Sequence, residues 1–320
     1  MSRVGLVLGG GGITGAAFHF GVLLTLRMAT GWDPNRAEVV IGTSSGAFVA
    51  AMVRGDRLDL DAFIGDGDDW HDVADRLRRY VYRRGRPRGV ARWVRRGVLP
   101  GLRRPDLTLS LGSPALYRTD GMVEWMSDAI GPLADTWPDR PTVIVGYDLE
   151  HRRRAPFGTE AAPAVTLKEA VGASVAVPFL FEPVQIRERW YADGGIASGT
   201  SADFLLGNPD PLDLVIVVAP LAAVEARDGA RFYEAMFDRA GRLALAAELE
   251  EVHRRWPGTD VLVLRPDSRV LDAARPNPMA VEAAVPVFLR TLRSMKDELA
   301  HHETWALLER HLVSPVASSQ

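Results

Sequence analysis

The stretch that most constrains how this chain can fold is residues 39–51, which read VVIGTSSGAFVAA. The three β-branched residues at its start predict a short buried strand, and the alanine-rich run at its end predicts a helix. Between them, Gly42, Ser44 and Gly46 form Gly-x-Ser-x-Gly, which is typical of a nucleophile elbow when a strand precedes it and a helix follows. Such a turn is too tight for side chains at the flanking glycines. We therefore predict that the Ser44 hydroxyl is presented beside a helix N-terminus, where the helix dipole favours developing negative charge.

A second glycine-rich turn follows the first predicted strand, residues 3–8. Residues 9–15 read GGGGITG and lead into an apolar helix predicted over about 15–29. Backbone N–H groups gathered at the start of a helix can bind an anion. The same letters match the dinucleotide fingerprint G-x-G-x-x-G, with Gly10, Gly12 and Gly15 at its glycine positions.

The strand that follows disfavours the dinucleotide alternative. A dinucleotide site needs an acidic residue about 20 positions on, at the end of the next strand, to bind the ribose. Here that strand ends in Gly42-Thr43-Ser44, and the nearby acids Asp33 and Glu38 precede it. A nucleotide-binding oxidoreductase is therefore the least favoured function.

Composition limits the remaining function classes. With 320 residues, 47% of them apolar and 25% charged, the chain has the composition of a globular protein with a sizeable core. A net charge of −3 predicts no general attraction to nucleic acid, and the lack of cysteine excludes thiolate catalysis and Cys-ligated metals. No signal peptide and no apolar run of membrane-spanning length is evident. We expect a cytoplasmic protein with a single domain over residues 1–320.

Strands and helices alternate along the rest of the chain. Further strands are predicted over 142–149, up to Asp193, over 214–218 and over 261–264; helices are predicted over 114–130, 167–175, 228–255 and, at the C-terminus, about 280–312. This alternation predicts an α/β fold with a mainly parallel sheet.

Residues 58–112 interrupt this alternation and predict an arginine-rich helical insertion. The stretch 76–104 holds twelve arginines together with Trp93, Tyr80 and Tyr82. Basic residues combined with aromatic ones on helices are suited to an anionic membrane surface. We expect peripheral contact with such a membrane; a lid over the site and an ordinary solvated arginine face remain alternatives.

A serine hydroxyl is a poor nucleophile until a base removes its proton, and that base is usually histidine. None of the seven histidines lies at the end of a predicted strand, where α/β enzymes usually keep their catalytic groups. Asp193 does, and Gly194 and Gly195 after it allow a sharp turn that leaves the carboxylate facing the site. Taken alone, Asp-Gly-Gly is more typical of an ordinary turn.

Taken together, the stretches 9–15, 42–46 and 193–195 resemble patatin-like phospholipases in their residues and order. Residues 173–178, ASVAVP, are similar to the run that precedes Asp-Gly-Gly in that family, and the resemblance covers about residues 4–206. It implies a three-layer α/β/α sandwich with a mainly parallel central sheet.

The resemblance also implies a site: a Ser–Asp dyad without histidine that meets at the carboxyl edge of the sheet. Ser44 would be the nucleophile, Asp193 its general base, and the N–H groups of Gly10, Gly11 and Gly12 the oxyanion hole. The motif glycines that would support them are Gly15, Gly42, Gly46, Gly194 and Gly195. Members of the family hydrolyse acyl esters of phospholipids and other lipids through an acyl-enzyme, with no cofactor or metal. A non-catalytic lipid- or membrane-binding protein of the same fold is the main alternative.

Two positions depart from the family pattern. Thr14 stands where many relatives carry arginine or lysine, so any support that such a cation gives the glycine loop must come from elsewhere. Ser201 stands where relatives often carry asparagine, and we expect this change to affect loop packing rather than chemistry.

Overall fold

The structure is a computed structural model that describes residues 2–58, 70–85, 90–99, 113–224 and 232–313, without the side chains of 70, 71, 92, 96, 97 and 232–237. Much of the predicted insertion over 58–112 therefore lies outside the described residues, including Arg86, Arg88, Arg103 and Arg104. The start of the predicted helix over 228–255 also lies outside them.

One sheet of eight strands forms the centre of the protein. The strands are β1 (Val4–Leu8), β2 (Val39–Thr43), β3 (Thr142–Asp148), β4 (Arg153–Phe157), β5 (Val184–Ile186), β6 (Arg189–Asp193), β7 (Leu214–Val218) and β8 (Asp260–Leu264). Hydrogen-bonded neighbours follow the order β5-β6-β3-β2-β1-β7-β8, and β4 also pairs with β3. Strands β3, β2, β1, β7 and β8 are parallel, whereas β4 and β6 are antiparallel to β3. The sheet is thus mainly parallel, with an antiparallel end.

Helices cover both faces of this sheet. They are α1 (Gly12–Thr30), α2 (Ser45–Arg54), α3 (Trp70–Val81), α4 (Val90–Trp93, continued by a π-turn over Val94–Val98), α5 (Asp120–Ile130), α6 (Leu167–Ser174), α7 (Phe232–Arg255), α8 (Ser268–Ala273), α9 (Ala284–Leu299) and α10 (His302–His311).

The alternation of side chains along β7 shows why the sheet needs two helical layers. Leu214, Ile216 and Val218 pack into the core that also contains residues of α1, α2 and α9. Val215 and Val217 point the other way, into a second core formed with α7 and the 3₁₀ turn Ala202–Gly207. A parallel strand buried on both faces needs apolar residues throughout, which is the sequence pattern seen here. The predicted three-layer α/β/α sandwich is confirmed.

Some element boundaries differ from the predictions. The helix predicted over 114–130 begins only at Asp120. The Tyr117 N–H donates to Leu180 O at 3.3 Å, and Tyr117 O accepts the Glu182 N–H at 2.9 Å. These two hydrogen bonds hold the chain around Tyr117 extended against residues 180–182. The predicted C-terminal helix is divided into α9 and α10, and the short strands β4 and β5 were not predicted.

Helix α1 is long and apolar enough to cross a membrane, contrary to the expectation that no apolar run in the chain has that length. In the structure most of this helix is buried inside the protein, where it packs against α2 and α9. The apolar side chains of α1 therefore form part of the hydrophobic core.

Candidate active site

Ser44 lies in the tight turn between β2 and α2, and its backbone has the unusual angles φ 55° and ψ −124°. A non-glycine residue in this region is strained, and the surrounding structure must hold it there. A Cβ on Gly46 would lie 1.9 Å from Leu8 O, and one on Gly42 would lie 2.7 Å from Ala47 Cα. The two flanking glycines are thus required by close backbone approach.

Ser174, at the end of α6, holds this turn from the other side. The Ser44 N–H donates to Ser174 Oγ at 2.9 Å, and Ser174 Oγ donates to Val145 O at 2.7 Å. The turn is therefore tied to β3 through one buried hydroxyl. Ser174 lies in the ASVAVP run, and no residue pattern in that run indicates this contact.

The sheet register explains how Asp193 reaches Ser44. Thr43 of β2 pairs with Val145 of β3, and the next residue of β3, Gly146, pairs with Asp193 of β6. Because β4 pairs with β3 opposite both of these partners, β2 and β6 must share the other side of β3. Their carboxyl ends therefore meet head to head beside β3, whereas we expected Ser44 and Asp193 to meet at the carboxyl edge of a parallel sheet. Ser44 Oγ donates to Asp193 Oδ2 at 2.6 Å.

Asp193 is almost completely buried, with 3% of its surface exposed. Its Oδ1 accepts the Gly195 N–H at 2.7 Å, which leaves Oδ2 directed at Ser44. Burial raises the pKa of Asp193 from 3.8 to about 6, and the hydrogen bonds from Ser44 and Gly195 offset part of that rise. No histidine ring among the described side chains bonds to Ser44 or Asp193. A Cβ on Gly194 would lie 2.3 Å from Val145 O, so a side chain is excluded there too.

The glycine loop differs from the expectation at one residue. The Gly10 N–H donates to Gly199 O at 2.7 Å and is therefore occupied in this structure, so the role of Gly10 as an oxyanion donor stays a prediction. Within the described residues, the N–H groups of Gly11 and Gly12 have no acceptor. Gly12 is the first residue of α1 and has φ +64°. These two N–H groups lie at the positive end of the helix dipole and remain available to an anion.

His19 holds the glycine loop from within α1. It is fully buried, and its Nε2 lies 2.6 Å from Gly9 O. Burial lowers the pKa of His19 to about 4, so the ring is neutral at pH 7. A carbonyl oxygen can only accept, so the proton of the neutral ring belongs on Nε2. The helix predicted over about 15–29 includes His19, but no pattern in the residues indicates this contact.

The two departures from the family pattern occupy distinct positions beside the loop. Thr14 is buried, its N–H donates to Pro278 O at 3.0 Å, and its hydroxyl lies 3.5 Å from Gly11 O. The hydrogen bond from Thr14 to Pro278 thus supports the glycine loop at the position where many relatives carry a basic side chain. Ser201 is buried with φ 54°, and its N–H donates to Ser198 Oγ at 3.0 Å.

An apolar cavity opens beside Ser44. The residues that line it are Gly12, Ile13, Ala16, Phe20, Ser44, Ser45, Phe48, Leu77, Val81, Met122, Trp125, Val175, Val177, Phe181 and Met279. The Trp125 ring lies 5.1 Å from that of Phe48 and 5.8 Å from that of Tyr80, measured between centroids. Apart from the two serines the side chains are apolar, so the cavity is suited to a hydrocarbon chain.

The described part of the arginine-rich stretch is not uniformly solvated. Arg78 is ion-paired with Asp75 and Glu282, and Arg83 with Glu124 at 2.5 Å. Arg84 and Arg95 are exposed. The exposed apolar side chains Val90, Val94, Leu99, Leu116 and Phe179 lie in or near the same region, and Trp93 contacts Phe179 edge to face at 6.5 Å.

Within the described residues, no three His, Asp or Glu side chains converge as metal ligands would.

The sequence matches one family model and several curated proteins. The family model for patatin-like phospholipases matches residues 6–206, which is more than half of the chain. Uncharacterized NTE family proteins of Mycobacterium tuberculosis and Mycobacterium bovis are 28% identical over 224 residues, covering 70% of this chain and 47% of each relative. The chain thus spans about half the length of the curated relatives it matches.

Solved structures give weaker similarities. VipD from Legionella pneumophila has a TM-score of 0.37 and 14% identity, with 92% of this chain and 67% of that chain covered. Human GIVD cytosolic phospholipase A2, in complex with methyl gamma-linolenyl fluorophosphonate, has a TM-score of 0.38 and 13% identity, with 98% and 60% covered. Because both TM-scores are below 0.5, the fold assignment rests on the family match and on the sheet itself.

Proposed function

Because the chain belongs to the patatin-like phospholipase family, we propose that it is a serine lipid acyl hydrolase that works through an acyl-enzyme on Ser44. The observation that carries this proposal is the 2.6 Å hydrogen bond from Ser44 Oγ to the buried Asp193 carboxylate. It is the contact that a nucleophile and its general base require. Membership of this family supports lipid acyl hydrolysis as the general class of activity. The Ser44–Asp193 dyad as the catalytic machinery and a carboxylic ester as the substrate are what we propose beyond it.

In the first step, Ser44 Oγ attacks the carbonyl carbon of the ester while its proton passes to Asp193 Oδ2. With a pKa of about 6, Asp193 is ionised at pH 7 and able to accept that proton. The carbonyl oxygen becomes an oxyanion, which the N–H groups of Gly11 and Gly12 stabilise. Each such donor typically contributes about 10²–10³-fold in rate. The N-termini of α1 and α2 add their positive dipole ends.

Collapse of the tetrahedral intermediate breaks the bond to the alcohol, which takes the proton from Asp193 and departs. Water then attacks the acyl carbon and passes a proton to Asp193; the bond from that carbon to Ser44 Oγ breaks, Ser44 Oγ takes the proton back from Asp193, and the carboxylic acid leaves. The apolar cavity beside Ser44 supports an acyl chain as the part of the substrate bound there. No step in this scheme uses a cofactor or a metal ion.

We also propose that the exposed arginines Arg84 and Arg95 bring the enzyme to anionic lipid. Each basic residue near such a surface contributes about 1 kcal/mol to binding. The exposed Phe179 lies two residues from Val177, which lines the cavity, and it contacts Trp93, two residues from Arg95 in the chain. This combination favours a membrane surface over a purely solvated face.

The test of the proposed chemistry is hydrolysis of p-nitrophenyl esters of increasing chain length by Ser44→Ala. We expect nearly complete loss of activity, together with loss of covalent labelling of Ser44 by a fluorophosphonate probe. Ser294→Ala, which removes another buried serine hydroxyl on α9, is the matched control and should leave both intact.

Two results would contradict the proposal. Substantial activity in Ser44→Ala would remove Ser44 as the nucleophile, and loss of turnover on addition of EDTA would require a metal. A wild-type protein that binds lipid vesicles but neither hydrolyses esters nor reacts with the probe would favour the non-catalytic lipid-binding alternative.

A further inference from the structure

Glu248 is a buried carboxylate on α7, beyond the residues that the family model matches, and the dyad does not use it. It faces residues 198–202, the loop that follows Asp-Gly-Gly. Its Oε2 accepts the Thr200 hydroxyl at 2.6 Å and the Ala202 N–H at 2.8 Å, and its Oε1 accepts the Ser198 hydroxyl. One carboxylate therefore fixes both ends of this short loop.

The loop in turn contacts the catalytic elements. Gly199 O accepts the Gly10 N–H at 2.7 Å, which fixes the residue just before the free N–H groups of Gly11 and Gly12. Thr200 O lies 3.5 Å from the hydroxyl of Thr43, the residue before the nucleophile. The loop thus joins the glycine loop to the end of β2, and it continues the chain from Asp193.

The site is built for a charged carboxylate. Arg154 Nη1 lies 3.6 Å from Glu248 Oε1, and Arg154 also forms two hydrogen bonds with Asp203, at 2.6 and 2.5 Å. Ser198 Oγ already accepts the N–H groups of Thr200 and Ser201, at 3.2 and 3.0 Å. Its own proton must therefore be donated to Glu248.

A glutamine at this position cannot satisfy the same groups. Its single oxygen is needed where the Ala202 N–H donates, since a backbone N–H can only donate. The amide nitrogen would then face the Ser198 hydroxyl and the Arg154 guanidinium, both of which are donors. Substitution by glutamine preserves the size of the side chain and removes the acceptor that holds the loop.

We propose that Glu248 is a positioning residue, which holds loop 198–202 so that Gly199 O fixes Gly10 and thereby sets the Gly11 and Gly12 N–H groups for oxyanion binding. The catalytic part of this inference rests on the proposed function. A geometric error of about 1 Å in such donors can cost about 10²-fold in rate, so a loop contact remote from the substrate is sufficient to control turnover.

The kinetic test compares Glu248→Gln with Val252→Ala, which removes apolar side-chain volume from the same helix one turn further on and leaves the hydrogen bonds of Glu248 to the loop in place. On a short soluble ester we expect Glu248→Gln to lower kcat by about 10- to 100-fold, with KM changed less than about twofold. Val252→Ala should retain kcat at temperatures where it is folded. Equal kcat in the two variants would overturn the inference, because the loss would then follow from helix stability.

Amide hydrogen exchange of ¹⁵N-glycine-labelled protein tests the same contact without activity. Glu248→Gln should speed exchange of the Gly10 N–H at least about tenfold, since its bond to Gly199 O is released. Exchange of the Gly9 N–H, which donates to Val218 O within the sheet, should change little. Unchanged exchange at Gly10 would refute the positioning role even in an active enzyme. A wild-type protein without esterase activity would instead refute the proposed function. The exchange result would still show whether Glu248 maintains the hydrogen bond from Gly10 to Gly199.

Discussion

Replacing Asp193 by asparagine should abolish hydrolysis and yet stabilise the protein at pH 8. Burial raises the pKa of this carboxyl from 3.8 to about 6, so the folded protein binds its proton more tightly than the unfolded chain does. Stability is therefore lost as the pH rises from 3.8 to about 6, and above that range the folded state keeps a buried charge at the full cost. At about 1.4 kcal/mol for each unit of pKa, this cost is about 3 kcal/mol.

An asparagine amide is neutral at every pH used, so the variant avoids that cost. Its oxygen can keep accepting the Gly195 N–H, and its amide nitrogen can donate to Ser44 Oγ, so Gly195 and Ser44 each keep a hydrogen bond to residue 193, with the direction of the Ser44 bond reversed. With about 2.1 cal/mol/K of unfolding entropy per residue, 3 kcal/mol corresponds to a gain of about 4–5 °C in Tm for 320 residues. About half of this gain should remain at pH 5.

The assay is thermal unfolding of wild type and Asp193→Asn between pH 5 and pH 8. Asp148→Asn provides a buried control of opposite sign. Burial raises the pKa of Asp148, but the backbone N–H groups of His151 and Glu150 outweigh it and hold this pKa below its usual value. That variant should lose stability by nearly the same amount throughout pH 5–8, because a pKa held below 3.8 changes stability only as the pH falls below that value. If Asp193→Asn lowered Tm at pH 8, or raised it equally at both pH values, the charge-burial argument would be refuted.

Two further predictions concern the substrate. Trp125→Ala should enlarge the apolar cavity beside Ser44 and shift the preference among p-nitrophenyl esters toward longer acyl chains; an unchanged profile would mean that the chain binds elsewhere. The double variant Arg84→Gln/Arg95→Gln should weaken binding to anionic vesicles about tenfold or more at low salt, with little change for a soluble ester. Arg290→Gln/Arg293→Gln, which removes two exposed arginines from α9, is the charge-matched control, and equal weakening in both would refute a specific contact surface.

The nucleophile turn could be predicted because its requirements are local. Gly42 and Gly46 are needed by atoms that lie within a few Å, and the turn residues follow a recognisable strand and precede a helix. The same is true of the apolar strands: burial on both faces requires apolar residues at every position, as in Leu214–Val218. Such patterns can be recognised in the sequence because each residue type is required by atoms close to it in the chain or by burial of its own strand.

The contacts between these elements were decided only by the tertiary structure. That β6 enters antiparallel and meets β2 end to end is not specified by the residues of either strand, although it brings Asp193 to Ser44. Likewise the bond from Gly10 to Gly199 and the carboxylate of Glu248 join segments far apart in the chain. A backbone N–H has the same donor chemistry whether it faces a substrate or another carbonyl, so the sequence determines which groups are present and the packing determines which remain free.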